Sequence, residues 1–311
     1  MMYVSVLGAA AGGGFPQWNS NSAACRRARA GDPQARPASQ ASIAVSGDGE
    51  SWFLINAAPD LRQQINDTPV LHPKEGLRSS PIAGVILTNG DVDAVAGLLN
   101  LRERTAFTIY AHPRILQVLD QNPIFKVLAP DVVGRSTLVT GEETRLTTAD
   151  GRDAGLRVRP FAVPGKVALF MEDAGKAENF GTEEGDTIGL EITAHDSGTR
   201  LIFVANCAAV DDRLRRRCDG AALLFFDGTL WRDDEMIARG EGVKTGQRMG
   251  HISMSGADGT IAAFSGLEIG QRIFIHINNT NPALLGDSPE RAELEAAGWQ
   301  VAYDGMALEI T

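Results

Sequence analysis

Hydrophobic and polar positions along the chain fall into a strand-first pattern. "YVSVLG" (Tyr3 to Gly8) alternates with the period of a strand and runs into "GAAAGGGFPQW", whose glycines permit tight turns. "ASIAVSGDGESWFLINA" reads as two strands across a "GDG" turn. Pro59 and Asp60 open a predicted helix in "PDLRQQI". "PIAGVIL" is a buried strand with a helix after it, and "FTIYAH" is another, followed by the helix "PRILQVLDQ". Residues 26–41 are polar and Pro-containing and are expected to form a long loop, and residues 130–175 mostly β structure. "EDAGKAENFGTEEGD" (Glu172 to Asp186) is acidic and Gly-rich and is expected to be a mobile loop. "TIGLEITA" and "TRLIFVAN" pair across "HDSG". The strands "ALLFF", "RIFI" and "WQVAY" then alternate with the helical "GTIAAFSGL" and "SPERAELEAAG".

Hairpins followed by strand–helix alternation occur twice. That order fits an α/β fold, an αββα sandwich of two mixed sheets with outer helices, better than one doubly wound sheet. No repeat or linker divides the chain, so residues 1–311 are read as a single domain. "GAAAGGG" lacks the G-x-G-x-x-G spacing of a dinucleotide-binding turn.

Composition narrows the function. Hydrophobic residues are 43% of the 311, enough for a large core. A net charge of −10 argues against nucleic-acid or anionic-membrane partners, which need clustered Lys and Arg. The one basic cluster, "RLRRRCDG", reads as a solvated helix end. No apolar run reaches the ~20 residues of a membrane span, and the N-terminus has no basic leader, so a cytoplasmic location is expected. Three cysteines with no pairing pattern suit a reducing compartment.

Polar clusters close four apolar strands, where open sheets place ligands. They are "TNGDVDA", "ANCAAVDD", "FDGTLW" and "HINNTNP", joined by "MGHISMSG" on a loop. Asp91, Asp93, His251 and His276 are the candidate metal ligands, since hard and borderline cations take carboxylates and imidazoles from separate elements. Asp227 and His251 are the candidate catalytic pair. Each has a plainer reading. Asp91 and Asp93 could be turn and N-cap residues worth roughly 1 kcal/mol each. His276 could be a satisfied core histidine. Asp227 follows "LLFF", where an unpartnered carboxylate is costly. His72, His112 and His195 read as loop or turn residues. Cys207 reads as core, with a soft-metal ligand as the alternative, and Cys218 as surface. Arg62 or Arg78 could pair with substrate carboxylates, a helix-surface role standing beside it for Arg62, and Asn279 and Asn281 are candidate substrate contacts.

"LTNGDVDAVAGL" resembles the metallo-β-lactamase motif T-H-x-H-x-D-H-x-x-G-L. Asn89, Asp91 and Ala94 stand where the motif has histidines, and Asp93 keeps its aspartate. "LGAAAGGGFPQWN", "GLRSSPIAGVILTN", "FDGTLWRDDEM", "GHISMSG" and "HINNTNPAL" together resemble the pyrroloquinoline quinone biosynthesis protein B family over nearly the whole chain. Many members carry a C-x-C-x-x-C zinc motif. Ser20, Ser22 and Cys25 stand there, so no structural zinc is expected. Many also keep a histidine at the position of Ala94.

The resemblance implies a role in a pathway that cross-links and trims the Glu and Tyr of a precursor peptide. It offers two activities: an iron-dependent oxygenase acting on the tyrosine ring with Fe(II), or another single divalent metal, and O₂, or a carrier assisting transport of the cofactor or its precursor to the periplasm. A dinuclear zinc hydrolase is disfavoured by the missing histidines. The expected partner is a small peptide-derived substrate, and a homodimer is left open.

Overall fold

The structure, a computed structural model, describes residues 1–165 and 185–311. Two mixed sheets carry the described fold. The first has the spatial order β14 (Ala307–Ile310), β1 (Met2–Gly8), β2 (Ser42–Ser46), β3 (Trp52–Ile55), β4 (Ile82–Ile86), β5 (Phe107–Ala111), β6 (Val133–Thr137). The second is ordered β13 (Trp299–Val301), β12 (Gln271–Ile275), β11 (Leu223–Asp227), β10 (Arg200–Val204), β9 (Ile188–Ala194), β8 (Asp153–Ala162), β7 (Thr144–Thr147). Each sheet is antiparallel on one side and parallel on the other: β3 to β6 run parallel in the first, β10 to β13 in the second.

The sheets pack face to face. Phe53 and Val85 of the first share one buried cluster with Leu156, Phe203 and Phe225 of the second. The side chains next to Phe225, Leu224 and Phe226, point to the other face and join Leu214, Phe264 and Leu294 beneath the outer helices. Burial on both faces explains why "LLFF" is continuously apolar. Each such side chain contributes about 2–3 kcal/mol of burial.

The parallel strands deliver polar residues to one end of the sandwich. Isolated bridges join Ala10 to Ile277 and Asn89 to Thr187, tying the extension of β1 to that of β12 and the extension of β4 to the lead-in of β9. Segments far apart in the chain thus meet at that end.

Two expectations need correction. The stretch expected to be a loop from residue 26 begins inside a helix, Ala23–Arg29. Ser22 caps it by accepting the Cys25 N–H, and Ala24, Cys25 and Ala28 form a narrow buried face that the surrounding arginines obscure in the sequence. Cys218, expected at the surface, is fully buried at the end of the helix Asp212–Cys218, and burial pushes its thiol up to about 12. Arg213 and Arg216 are exposed while position 218 faces the core. The expected mobile loop, Glu172 to Asp186, lies outside the described residues except for its end. There Asp186 pairs with Arg114 at 2.6 Å.

Candidate metal centre

Asp93 lies in the first turn of the short helix Val92–Val95 that follows β4, and His276 follows β12 directly. The two meet with His276 Nε2 3.0 Å from Asp93 Oδ2. His276 holds a left-handed backbone (φ 62°), sparsely populated for a residue with a side chain. Such strain at a strand end re-aims a side chain, and this ring turns toward the first sheet's helix.

A single hydroxyl organises both imidazoles. Thr229 Oγ1 lies 2.9 Å from His276 Nδ1 and 3.0 Å from His251 Nδ1. It donates to Asp227 Oδ1 at 2.7 Å. It therefore accepts from His276 Nδ1–H, which leaves His276 Nε2 as the atom facing Asp93. A bare lone pair cannot rest against a carboxylate at that distance, so a proton or a cation belongs between them. Burial alone would lower the His276 pKa and raise that of Asp93. Their mutual hydrogen bond and opposite charges prevail, holding His276 above the ordinary imidazole value and Asp93 below the usual carboxylate range.

Asp227 is wholly buried, and every lone-pair direction is used. Oδ1 accepts the backbone N–H and the hydroxyl of Thr229. Oδ2 accepts the Cys207 N–H at 2.8 Å and faces His251 Nδ1 at 2.7 Å. By distance alone Asp227 groups with His251 and His276, their donor atoms all within 4.8 Å of one another. Its four occupied contacts make it the residue that orients His251, a role carboxylates often play behind an imidazole ligand. His251 is left offering Nε2 to the cavity. The two rings stack 5.4 Å apart between centroids at 24°.

Asp93, Thr229, His251 and His276 line a cavity of about 750 Å³ together with Asp91, Asn206, Lys244 and Asn278. Asn89, in place of the motif's first histidine, accepts the Asp91 N–H at Oδ1 and donates from Nδ2 to Asn206 Oδ1 at 3.0 Å. An amide pair from the two sheets occupies what the motif makes a metal position. Ala94 is buried, and its carbonyl accepts from the Ala57 N–H.

Of the residues singled out in the sequence, Asp91, Asp93, His251 and His276 all reach this cavity, with Asp227 behind it. Arg62 and Arg78 are exposed and do not line it. Asn279 and Asn281 are buried. Asn279 donates to Gln17 Oε1, and Asn281 donates to the Gly228 carbonyl and accepts from the Ala283 N–H. Cys207 is buried, its thiol donates to the Ala209 carbonyl at 3.0 Å, and its pKa is raised, first by burial and then by the Asp227 charge. Sequence reasoning missed Thr229, Asn206, Asn278 and Lys244. Thr229 carried a signal: a Thr two residues after a strand-end Asp is placed to bond back to that carboxylate.

Two imidazoles and a carboxylate at the shared end of two mixed sheets define a metallo-β-lactamase-fold protein with room for a cation. The donors fit a divalent ion of zinc or Fe(II) type, because His276 Nε2 and Asp93 Oδ2 face each other and His251 retains a second nitrogen. Residues 51–277 match the model of the beta-lactamase superfamily domain. The chain is 57% identical over 308 residues to coenzyme PQQ synthesis protein B of Gluconacetobacter diazotrophicus and 56% identical over 311 to that of Bradyrhizobium diazoefficiens, covering 99% of each chain. It superposes on the crystal structure of Zn²⁺-bound PqqB from Methylobacterium extorquens with a TM-score of 0.94, at 52% identity and 99% coverage of both chains. A diphosphatase of the PhnP family shares the fold, with a TM-score of 0.68 at 21% identity, covering 99% of this chain and 96% of that one. The chain belongs to the coenzyme PQQ synthesis protein B family of the beta-lactamase superfamily. Among the described residues no helix is long and apolar enough to cross a membrane.

Proposed function

We propose that the chain acts in pyrroloquinoline quinone biosynthesis as a non-haem iron-dependent hydroxylase of the tyrosine ring in a cross-linked Glu-Tyr precursor. The observation that carries this is the convergence of His251, His276 and Asp93 on one cavity floor. Two imidazoles and one carboxylate with open positions are the donor inventory of non-haem Fe(II) oxygenases. Bound Fe(II) supplies the activation of O₂ that ring hydroxylation requires.

The chain's own groups do the rest. Asp93 and His276 would hold the cation, with His251 Nε2 as the third donor or as a base for the ring hydroxyl, and Asp91 on the wall. Asp227 and Thr229 fix both imidazoles so that neither rotates. The cavity walls hold the precursor. The zinc of the Methylobacterium relative is compatible with this reading, since the same donors suit both metals.

The test is anaerobic loading with Fe(II), then O₂ and the cross-linked Glu-Tyr amino acid, with mass spectrometry for a dihydroxyphenylalanine product. Iron-dependent product supports the reading. No such product from folded, iron-loaded protein overturns it.

One observation favours a second reading. Ala94 stands where the metallo-β-lactamase motif has a histidine, which leaves the site one imidazole short of that motif. A carrier that holds the cofactor or precursor without turning it over needs no complete donor set. Cofactor binding that survives chelation, with no turnover, selects the carrier.

A further inference from the structure

The cavity wall carries two side-chain amides whose orientation the hydrogen-bond network fixes. Asp91 N–H is a donor, so Asn89 must meet it with Oδ1, at 2.9 Å. Asn89 therefore extends its NH₂ outward, and Asn206 must meet that with its own Oδ1, at 3.0 Å. What Asn206 has left for the cavity it lines is its NH₂, a donor. Asn278 is fixed the opposite way. Thr280 Oγ1 donates to the buried Glu235 Oε1 at 2.6 Å and so accepts from Asn278 Nδ2 at 2.7 Å. Glu235 is itself held by the Trp231 N–H at 2.8 Å. Asn278 is left with its carbonyl oxygen, which receives only a long 3.4 Å contact from Asn279.

Both amides are half-buried, and both relays run back into buried protein. Lys244 adds a cation to the same wall. The cavity thus offers an oriented donor, an oriented acceptor and a positive charge.

We propose that Asn206 and Asn278 are specificity-determining residues that read an α-amino acid unit, Asn206 donating to its carboxylate and Asn278 accepting from its ammonium group. The amide pair that stands in the motif's metal position serves substrate recognition: Asn89 sets the direction in which Asn206 donates. This deepens the hydroxylase reading by naming what the wall recognises, and rests on it only for the choice of probe.

The test uses the cross-linked Glu-Tyr diamino acid, its N-acetylated form and its methyl esters, titrated calorimetrically into zinc-loaded protein so that no turnover intervenes. N-acetylation and esterification should each weaken binding to the unaltered protein by about tenfold or more, the worth of one charge-assisted hydrogen bond. The same isosteric change should act oppositely at the two positions. Asn206→Asp replaces the donor with a like charge and should cost about tenfold or more. Asn278→Asp keeps an acceptor toward the cavity; it loses the donation to Thr280, whose hydroxyl can instead turn to the new carboxylate, and should leave the affinity unchanged or raise it. Asn278→Ala should abolish the penalty for N-acetylation while melting and zinc content stay those of the unaltered protein. Equal effects of the two Asp variants, or free acceptance of the N-acetylated probe, overturn the proposal. Asymmetric binding without hydroxylated product leaves it standing and removes the hydroxylase reading. Iron-dependent turnover with both Asp variants equally impaired or equally active does the reverse.

Discussion

His276 Nε2 and Asp93 Oδ2 stand 3.0 Å apart although 183 positions separate them in the chain. One comes from a helix behind the first sheet, the other from a strand end of the second. An imidazole and a carboxylate in that arrangement compete with a cation for the same gap. Asp93→Asn keeps the shape but gives up the charge, and should lower the affinity for a divalent cation by at least about 100-fold, given that outer-shell changes alone cost 10–100-fold. Competition with a chromophoric chelator measures it. Unchanged affinity would place the cation elsewhere.

Thr229 is the common partner of Asp227, His251 and His276. Thr229→Val is close in shape but removes the hydroxyl, leaving buried polar atoms short of a partner. It should cost about 1–3 kcal/mol of stability and weaken metal binding about 10–100-fold, while Thr229→Ser stays near the unaltered protein. Urea unfolding and a metal titration of both variants separate the hydroxyl from simple packing.

Stability of the metal-free protein should depend on pH through the Asp93–His276 pair. Asp93 has a lowered pKa, so its contribution is present above its unfolded value and lost as pH falls through the depressed one. His276 has a raised pKa, so its contribution is fully present below its ordinary value of 6.5 and lost as pH rises through the raised one. The pair therefore stabilises a window between those limits. A melting series on chelator-treated protein should fall on the alkaline side, and His276→Gln should flatten that fall. Metal affinity should climb over the same range, because the cation displaces the His276 proton.

Gly97 carries the motif's glycine into the fold. Its N–H donates to the Ala57 carbonyl at 2.8 Å, and a Cβ there would lie 2.1 Å from the Ala58 oxygen and 2.7 Å from that of Ala57. Both obstacles are backbone and cannot swing aside. Gly97→Ala should destabilise by about 2–3 kcal/mol, in the range of core overpacking, and denaturant midpoints read it directly. A midpoint equal to the unaltered protein's would mean that the β3 exit loop yields.

The fold was legible because strand-end chemistry is written locally. Four apolar runs each ending in polar residues announced where ligands collect; Asp93 and His276 could be picked from those ends, and His251 from a polar loop. What stayed hidden depends on partners distant in sequence. Asn278 and Asn279 are adjacent and alike, yet Thr280 turns one toward the cavity while Gln17 engages the other. Arg62 and Arg78 have suitable chemistry and exposed positions away from the cavity, and nothing in their local sequence reports that distance. Cys218 was masked by its neighbours, since a helix with a narrow apolar stripe presents mostly its charged residues to a linear reading.

The floor of the cavity takes Asp93 from one layer of the sandwich and His251 and His276, with Asp227 behind them, from the other. A ligand seated there is a rivet between the two layers. Filling the site should therefore make the layers come apart together, as one event, and emptying it should allow them to loosen separately. Occupancy would then be audible in the breathing of amides far from the cavity, along β4 and β12, where hydrogen exchange can listen for it.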